Sequence, residues 1–96
     1  MKREYELTFV IRPDLDDEGF AAVTEKVAGY VLASGNEITS TSPWGRRRLA
    51  YPIRRFVEGY YVFMLIQSDA KGLNDVERSI RLNEDVIRHL AVRKEE

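Results

Sequence analysis

The chain of 96 residues contains no cysteine, so disulfide bonds and thiolate chemistry are excluded and no oxidising compartment is indicated. It also lacks a long apolar run, since the stretch at residues 60–66 is far too short to span a bilayer. The first residues, MKREYELTF, are charged and then alternating, unlike the continuous apolar region of a secretory signal. These absences predict a cytoplasmic protein that does not bind membranes.

Groups suited to catalysis or metal binding are equally scarce. His89 is the only histidine, and no second histidine or carboxylate accompanies it at metal-ligand spacing. The serines lack a nucleophile context, and the glycines do not form a phosphate-cradling loop. The acidic run from Asp14 to Glu18 is typical of the solvated start of a helix rather than of a calcium loop. We therefore predict no enzymatic activity, no metal, no cofactor and no small-molecule substrate.

What the chain does have is a dense cationic segment next to the apolar run LAYPI. Five of its fifteen basic residues lie within ten positions, although the formal net charge is -1; they are Arg46, Arg47, Arg48, Arg54 and Arg55. The arginine fork suits phosphate oxygens and no acid lies at residues 38–45, so the predicted partner is nucleic acid. The alternative is a charged strand edge that resists aggregation. In a strand, Arg46 and Arg48 are expected to face away from Arg47.

Hydrophobic periodicity predicts one domain over residues 1–96. Strands are expected at residues 4–12, 37–53, 60–67 and 85–93, and helices at about 16–34 and 69–83. We also expect a bend of the second strand at Pro43 and Gly45, a turn at Val57–Gly59, and no packing by residues 94–96. The order β-α-β-β-α-β predicts an α+β, ferredoxin-like fold, a four-stranded antiparallel sheet with two helices on one face and the first and third strands in its centre.

The third strand is apolar on both of its faces. We expect the core set to be Tyr61, Phe63 and Leu65, and the opposite set to be Tyr60, Val62 and Met64. An apolar face that no helix covers is expected to be covered by another protein. An alternative is that Tyr60 stacks on bases, as in RNA-recognition motifs, although EGYYVFML matches their signature poorly.

Several segments resemble the bacterial small-subunit ribosomal protein S6 family. They are the opening strand with Arg3, Tyr5 and Glu6, the block GRRRLAYPI at Gly45–Ile53, the strand GYY from Gly59, and NEDVIRHLAVR at Asn83–Arg93. The resemblance covers nearly the whole chain and implies the ferredoxin-like fold. It also implies a structural role without catalysis, because members bind the central domain of small-subunit ribosomal RNA as a heterodimer with a small basic protein, ribosomal protein S18.

Carried onto this sequence, the resemblance and the cationic segment imply a set of basic and aromatic residues that bind RNA or the partner. The set is Lys2, Arg3, Tyr5, Arg46, Arg47, Arg48, Tyr51, Arg54, Arg88 and His89. Which of them meet RNA and which meet the partner stays open. Two further functions remain as alternatives on the same fold: a stand-alone RNA-recognition module, and a small-ligand or acylphosphatase-like domain.

Overall fold

The computed structural model describes residues 1–94, which form four strands and two helices. In chain order the elements are β1 (Arg3–Ile11), α1 (Asp17–Ala33), β2 (Glu37–Ile53), β3 (Phe56–Ser68), α2 (Ala70–Arg81) and β4 (Val86–Arg93). The strands form one antiparallel sheet in the order β2-β3-β1-β4, and both helices pack on one face of it. The predicted ferredoxin-like fold, with β1 and β3 in the centre, is confirmed.

Both helices begin at an aspartate that caps the first turn. The Asp16 carboxylate accepts a hydrogen bond of 2.8 Å from the Gly19 amide, and Asp69 accepts one of 2.7 Å from the Gly72 amide. These bonds satisfy amides that have no partner within the helix. After α1, Gly35 adopts the left-handed conformation with φ of 79°, which allows the chain to turn into β2.

The main core lies between the helices and one face of the sheet, which we call the helix face. Its sheet residues include Leu7, Phe9, Ile11, Val62, Met64 and Ile66, and its helix residues are Phe20, Val23, Val27, Val31, Val76 and Ile80. The helix residues recur at intervals of three and four, which places them on one side of each helix. The opposite face of the sheet, which carries neither helix, we call the open face.

The expected assignment of the two faces of β3 is wrong. The set that packs toward the helices is Tyr60, Val62 and Met64, whereas Tyr61, Phe63 and Leu65 lie on the open face. The register decides this, because Val62 lies opposite Phe9 and residues directly opposite in antiparallel strands share a face. A strand that is apolar on both faces does not reveal, from its own alternation, which of them meets the helices.

The turn between β2 and β3 lies at Arg54 and Arg55, and the predicted turn at Val57–Gly59 is wrong. Ile53 pairs with Phe56, so two residues connect the strands. Both turn residues have positive φ, of 50° and 72°. Glycine and asparagine are the usual residues in such a turn, so the arginines gave no turn signal in the sequence.

Gly59 has a different role from the turn that the sequence predicted. It lies within β3 and is buried, and a Cβ at this position would collide with the side chain of Val10 on the neighbouring strand. The glycine therefore permits close packing of β1 and β3 rather than a reversal of the chain.

Strand β2 departs from regular pairing at several points. Its register with β3 shifts between Pro43 and Gly45, where Gly45 has φ of 82°, so the predicted bend is confirmed. A larger irregularity precedes Ile53: residues 49–52 have no partners of their own and lie across from Val57. The proline in this range cannot donate to a ladder, which favours the departure. We call residues 49–52 the arch.

The prediction that residues 94–96 do not pack is wrong for Lys94. Its amide donates a hydrogen bond of 2.9 Å to the Glu4 carbonyl, and its ammonium lies 3.3 Å from the Glu4 carboxylate. Glu95 and Glu96 lie outside the described residues.

Candidate nucleic-acid and protein interface

The open face carries three rows of side chains that run across β3, β1 and β4. In order they are Tyr61, Val10 and Arg88; Phe63, Thr8 and Leu90; and Leu65, Glu6 and Val92. Both helices pack on the other side of the sheet, so the rows face outward. Leu90 and Val92 remain 57% and 46% exposed, which is unusual for large aliphatic side chains that lie beside one another.

Trp44 extends this apolar surface at the edge formed by β2. It lies in the irregularity after Pro43 and stacks on Phe63, with ring centroids 5.4 Å apart and the planes at 4°. Trp44, Arg47 and Tyr61 line an open groove beside the stack. An indole that is 49% exposed therefore lies next to a guanidinium, a combination that is common in binding surfaces.

The arch covers the part of the open face near the start of β4. Leu49 is buried with Val10 and Ile87 in a second hydrophobic cluster. Tyr51 follows, and its hydroxyl accepts a hydrogen bond of 2.9 Å from Arg88, whose guanidinium lies 5.5 Å from the centroid of the Tyr51 ring. The block LAYP thus anchors the hairpin and orients Arg88 on the open face.

Arg46 faces away from Arg47, as the alternation predicted. Its guanidinium donates a hydrogen bond of 2.7 Å to the Pro13 carbonyl and lies 5.3 Å from the centroid of the Phe20 ring on α1. It also lies 3.6 Å from the carboxylate of Glu58, which comes from β3 rather than from the sequence next to the arginines. Arg46 therefore has partners within the chain.

Four more of the predicted contact residues also lie away from the open face. Tyr5 packs against the main core, and His89 Nε2 lies 3.2 Å from a carboxylate oxygen of Glu77 on α2. Lys2 donates a hydrogen bond of 2.8 Å to the carbonyl that follows α1, and Arg3 is exposed at the opposite end of β1 from the arginine cluster. The structure thus groups Arg47, Tyr51 and Arg88 on one surface, with Arg54 in the adjoining turn, whereas Arg48 lies opposite Glu58 and so faces the same side of the sheet as Arg46.

Tyr60, the residue suggested for base stacking, is not on the open face. Its ring stacks on Phe20, with centroids 4.0 Å apart and the planes at 14°. The aromatic side chains on the open face are instead Tyr61, Phe63 and Trp44. The suggested role of Tyr60 is therefore wrong.

Sequence reasoning missed several residues that the open face brings together. They are Glu6, Trp44, Phe63, Leu90 and Val92. The alternation within β4 contained a signal for Leu90 and Val92. They follow Arg88 at intervals of two, and such residues of a strand share a face of the sheet.

The family model for ribosomal protein S6 matches residues 4–93 of this chain. The chain belongs to the ribosomal protein S6 family. The crystal structure of 30S ribosomal protein S6 from Thermotoga maritima agrees, with a TM-score of 0.91 and 27% sequence identity over 98% of this chain and 89% of that chain. The chain is therefore a small-subunit ribosomal protein, and the resemblance found in the sequence is confirmed.

Two further solved structures share the fold with this S6 family member. A homoserine dehydrogenase from Thiobacillus denitrificans matches with a TM-score of 0.70 at 12% identity, over all of this chain and 18% of that chain. An uncharacterized protein from Thermotoga maritima matches with a TM-score of 0.62 at 18% identity, over 99% of this chain and 100% of that chain. At these identities the matches show a common fold and nothing about activity.

The loop after β1 bears on the acylphosphatase-like alternative, and ion pairs occupy it. Arg12 donates to both carboxylate oxygens of Asp14, at 2.7 and 2.9 Å, and lies 3.8 Å from Asp85. The hydrogen bond between them lowers the pKa of Asp14 and raises the pKa of Arg12. The S6 family consists of structural ribosomal proteins rather than enzymes.

The lowered pKa of Asp14 sets the direction of its effect on stability. The pair stabilises the fold above the pKa that Asp14 has in the unfolded chain, and this contribution is lost as the pH falls through the lower folded-state value.

Between residues 1 and 94, no group of His, Asp and Glu side chains is arranged to hold a metal ion. In the same range, neither helix is both long and apolar enough to cross a membrane.

Replacing Arg47 by alanine is expected to change the free energy of unfolding by no more than about 0.5 kcal/mol. Arg47 is exposed and faces an open groove rather than a buried acid. Urea unfolding of the parent chain and of Arg47→Ala measures this change. Arg46→Ala serves as the comparison, because it removes the contacts of Arg46 to Pro13 and Glu58. A loss above about 1 kcal/mol for Arg47→Ala contradicts the assignment of Arg47 to a binding surface.

Proposed function

We propose that this S6 family member binds the central domain of small-subunit ribosomal RNA cooperatively with ribosomal protein S18, as a heterodimer, during subunit assembly and translation in the cytoplasm. The observation that carries the proposal is the open face, where exposed apolar side chains adjoin arginines. Apolar surface favours a protein partner, and guanidinium groups favour phosphate.

The protein contact would use the half of the open face that contains Leu65, Val92 and Leu90, extended at the β2 edge by Trp44, which stacks on Phe63. Glu6 lies in the ladder between Leu65 and Val92, and it has no ion pair among the described residues 1–94. A carboxylate surrounded by apolar side chains suits a basic partner such as S18. Such a charge pair selects the partner and its orientation more than it adds affinity.

The RNA contact would use the other half, where Arg47 and Arg88 lie on the open face. Both side chains are exposed, and Tyr51 holds Arg88 in place. Few phosphate contacts are available, and the net charge of -1 gives no general attraction to RNA. We therefore expect this protein without S18 to bind RNA with modest affinity. Contacts made by the heterodimer would supply the remaining affinity.

Complex formation tests this proposal directly. The protein, S18 and a central-domain RNA fragment are mixed and analysed by native mass spectrometry, with a fragment of equal length from another domain of the same RNA as the control. We expect a complex with one copy of each component, formed on the central-domain fragment. A protein that joins neither S18 nor RNA, or that binds both fragments alike, would disprove the proposal.

A stand-alone RNA-recognition module is the second candidate, because Trp44, Tyr61 and Phe63 place aromatic rings on the open face. Bases would then stack on these rings and S18 would be dispensable. In that case Tyr61→Ala would cost about 1–3 kcal/mol of RNA binding measured without S18. Unchanged binding by this variant removes the second candidate.

A further inference from the structure

The turn that joins β2 to β3 consists of two arginines in a backbone conformation that arginine disfavours. Arg54 and Arg55 have φ of 50° and 72°, in the left-handed region. A side chain with a Cβ in this region meets the following carbonyl oxygen, so adjacent residues other than glycine or asparagine are uncommon there. Two-residue turns of this kind favour Asn-Gly.

The surrounding structure enforces this conformation. Ile53 and Phe56, the pair that closes the turn, both pack against the second cluster formed by Val10, Leu49 and Ile87. Because both flanking residues are anchored, the turn has no room to lengthen or to change its twist. Strain that persists at such a position is a reason to look for a function of the residues that bear it.

The two arginines differ in their contacts. The Arg54 guanidinium donates a hydrogen bond of 2.8 Å to the Glu84 carbonyl before β4, so this side chain ties the turn to the neighbouring loop. Arg55 is exposed and makes no side-chain hydrogen bond or ion pair with residues 1–94. The Arg55 guanidinium therefore has no polar partner within the described residues.

The two aspartates at this end of the sheet do not form ion pairs with Arg55 either. Asp14 and Asp85, which lie at the same end of the sheet, are both within 4 Å of Arg12. The Arg12 guanidinium also lies 5.7 Å from the centroid of the Phe56 ring, directly after the turn. Arg12 thus pairs with these two carboxylates, and the exposed Arg55 is in an ion pair with neither.

We propose that Arg55 binds a phosphate of the RNA backbone, and that Arg54 positions the turn rather than contacting RNA. The inference rests on the proposed function and deepens it, because it adds a contact at the hairpin tip and reassigns Arg54. The fixed turn holds a guanidinium fork at a defined place beyond the sheet edge, which suits bidentate contact with phosphate oxygens.

The variant Arg55→Gly separates stability from binding, because the two effects have opposite signs. Glycine relieves the left-handed strain, so the urea midpoint of unfolding is expected to move to higher urea. RNA binding in the presence of S18 is expected to weaken about tenfold, and the slope of log K against log salt to become shallower by about one contact. Both are measured on the full chain, the second by fluorescence anisotropy with a labelled central-domain fragment.

Two matched variants make the result specific. Arg55→Lys keeps the charge and is expected to restore the salt slope, whereas Lys26→Gln removes the same charge from the exposed side of α1 and is expected to leave RNA binding unchanged. The proposal is overturned if Arg55→Gly binds RNA like the parent chain, or if Lys26→Gln weakens binding as much. A parent chain that binds no RNA with S18 present contradicts the proposed function instead.

Discussion

Replacing Phe9 by alanine is expected to lower the free energy of unfolding by about 3–5 kcal/mol. Phe9 is fully buried in β1, with Val62 opposite it on β3 and His89 opposite it on β4. The ladder on both sides keeps the neighbouring strands in place, so the space left by the ring does not close. Urea unfolding followed by far-ultraviolet circular dichroism measures the loss.

The neighbouring residue supplies the control. Thr8 lies on the open face of the same strand and is half-buried, so Thr8→Ala is expected to cost less than about 1 kcal/mol. Ile80→Ala removes a side chain of α2 from the same core and is expected to cost about 2–5 kcal/mol. A loss below about 1 kcal/mol for Phe9→Ala contradicts the location of the main core.

Replacing Trp44 by alanine is expected to weaken binding to S18 by at least about 2 kcal/mol, or about thirtyfold in Kd. The indole combines a large apolar surface with a fixed orientation, because it stacks on Phe63. It also lies beside Phe63, at the β3 end of the second row, where no side chain of either helix competes for the surface. Isothermal titration of S18 into each protein, without RNA, gives the two affinities.

Leu82→Ala is the matched control for Trp44→Ala. Leu82 is 79% exposed, but it lies at the end of α2 on the other side of the sheet. Its replacement is expected to leave S18 binding unchanged. If Trp44→Ala changes the affinity less than threefold, or if Leu82→Ala weakens it equally, the open face is not the protein interface.

Local patterns in the sequence were sufficient to predict the fold. The alternation of β1, the helical spacing from Phe20 to Val31 and the aspartate caps each depend on residues close in sequence. Each also agrees with the same topology, and this agreement is what specifies the ferredoxin-like arrangement. The family resemblance led to the same fold independently.

The errors arose where pairing between distant residues decides the outcome. The faces of β3 depend on its register with Phe9, which a strand apolar on both sides does not reveal. The turn lies at Arg54 and Arg55 because Ile53 and Phe56 are anchored, although neither arginine favours it. Tertiary packing overrides local preference in both cases.

The candidate site was predictable in composition but not in arrangement. The sequence identifies Arg47 and Arg88 as basic, yet they lie 41 positions apart, and only the arch with Tyr51 shows that they share a surface. His89 is adjacent to Arg88 but faces α2, because consecutive residues of a strand point to opposite sides. Residues that are adjacent in a sequence motif therefore lie on opposite faces of the sheet.

The measurement that tests the central claim most directly is RNA binding across a salt series, with and without S18. Anisotropy of a labelled central-domain fragment gives the affinity of this protein under each condition. Cooperative assembly predicts tight, salt-sensitive binding that requires S18 and weak binding in its absence. Equal affinity with and without S18 would contradict the claim and favour a stand-alone RNA module, and an absence of binding in both conditions would reject RNA as the ligand.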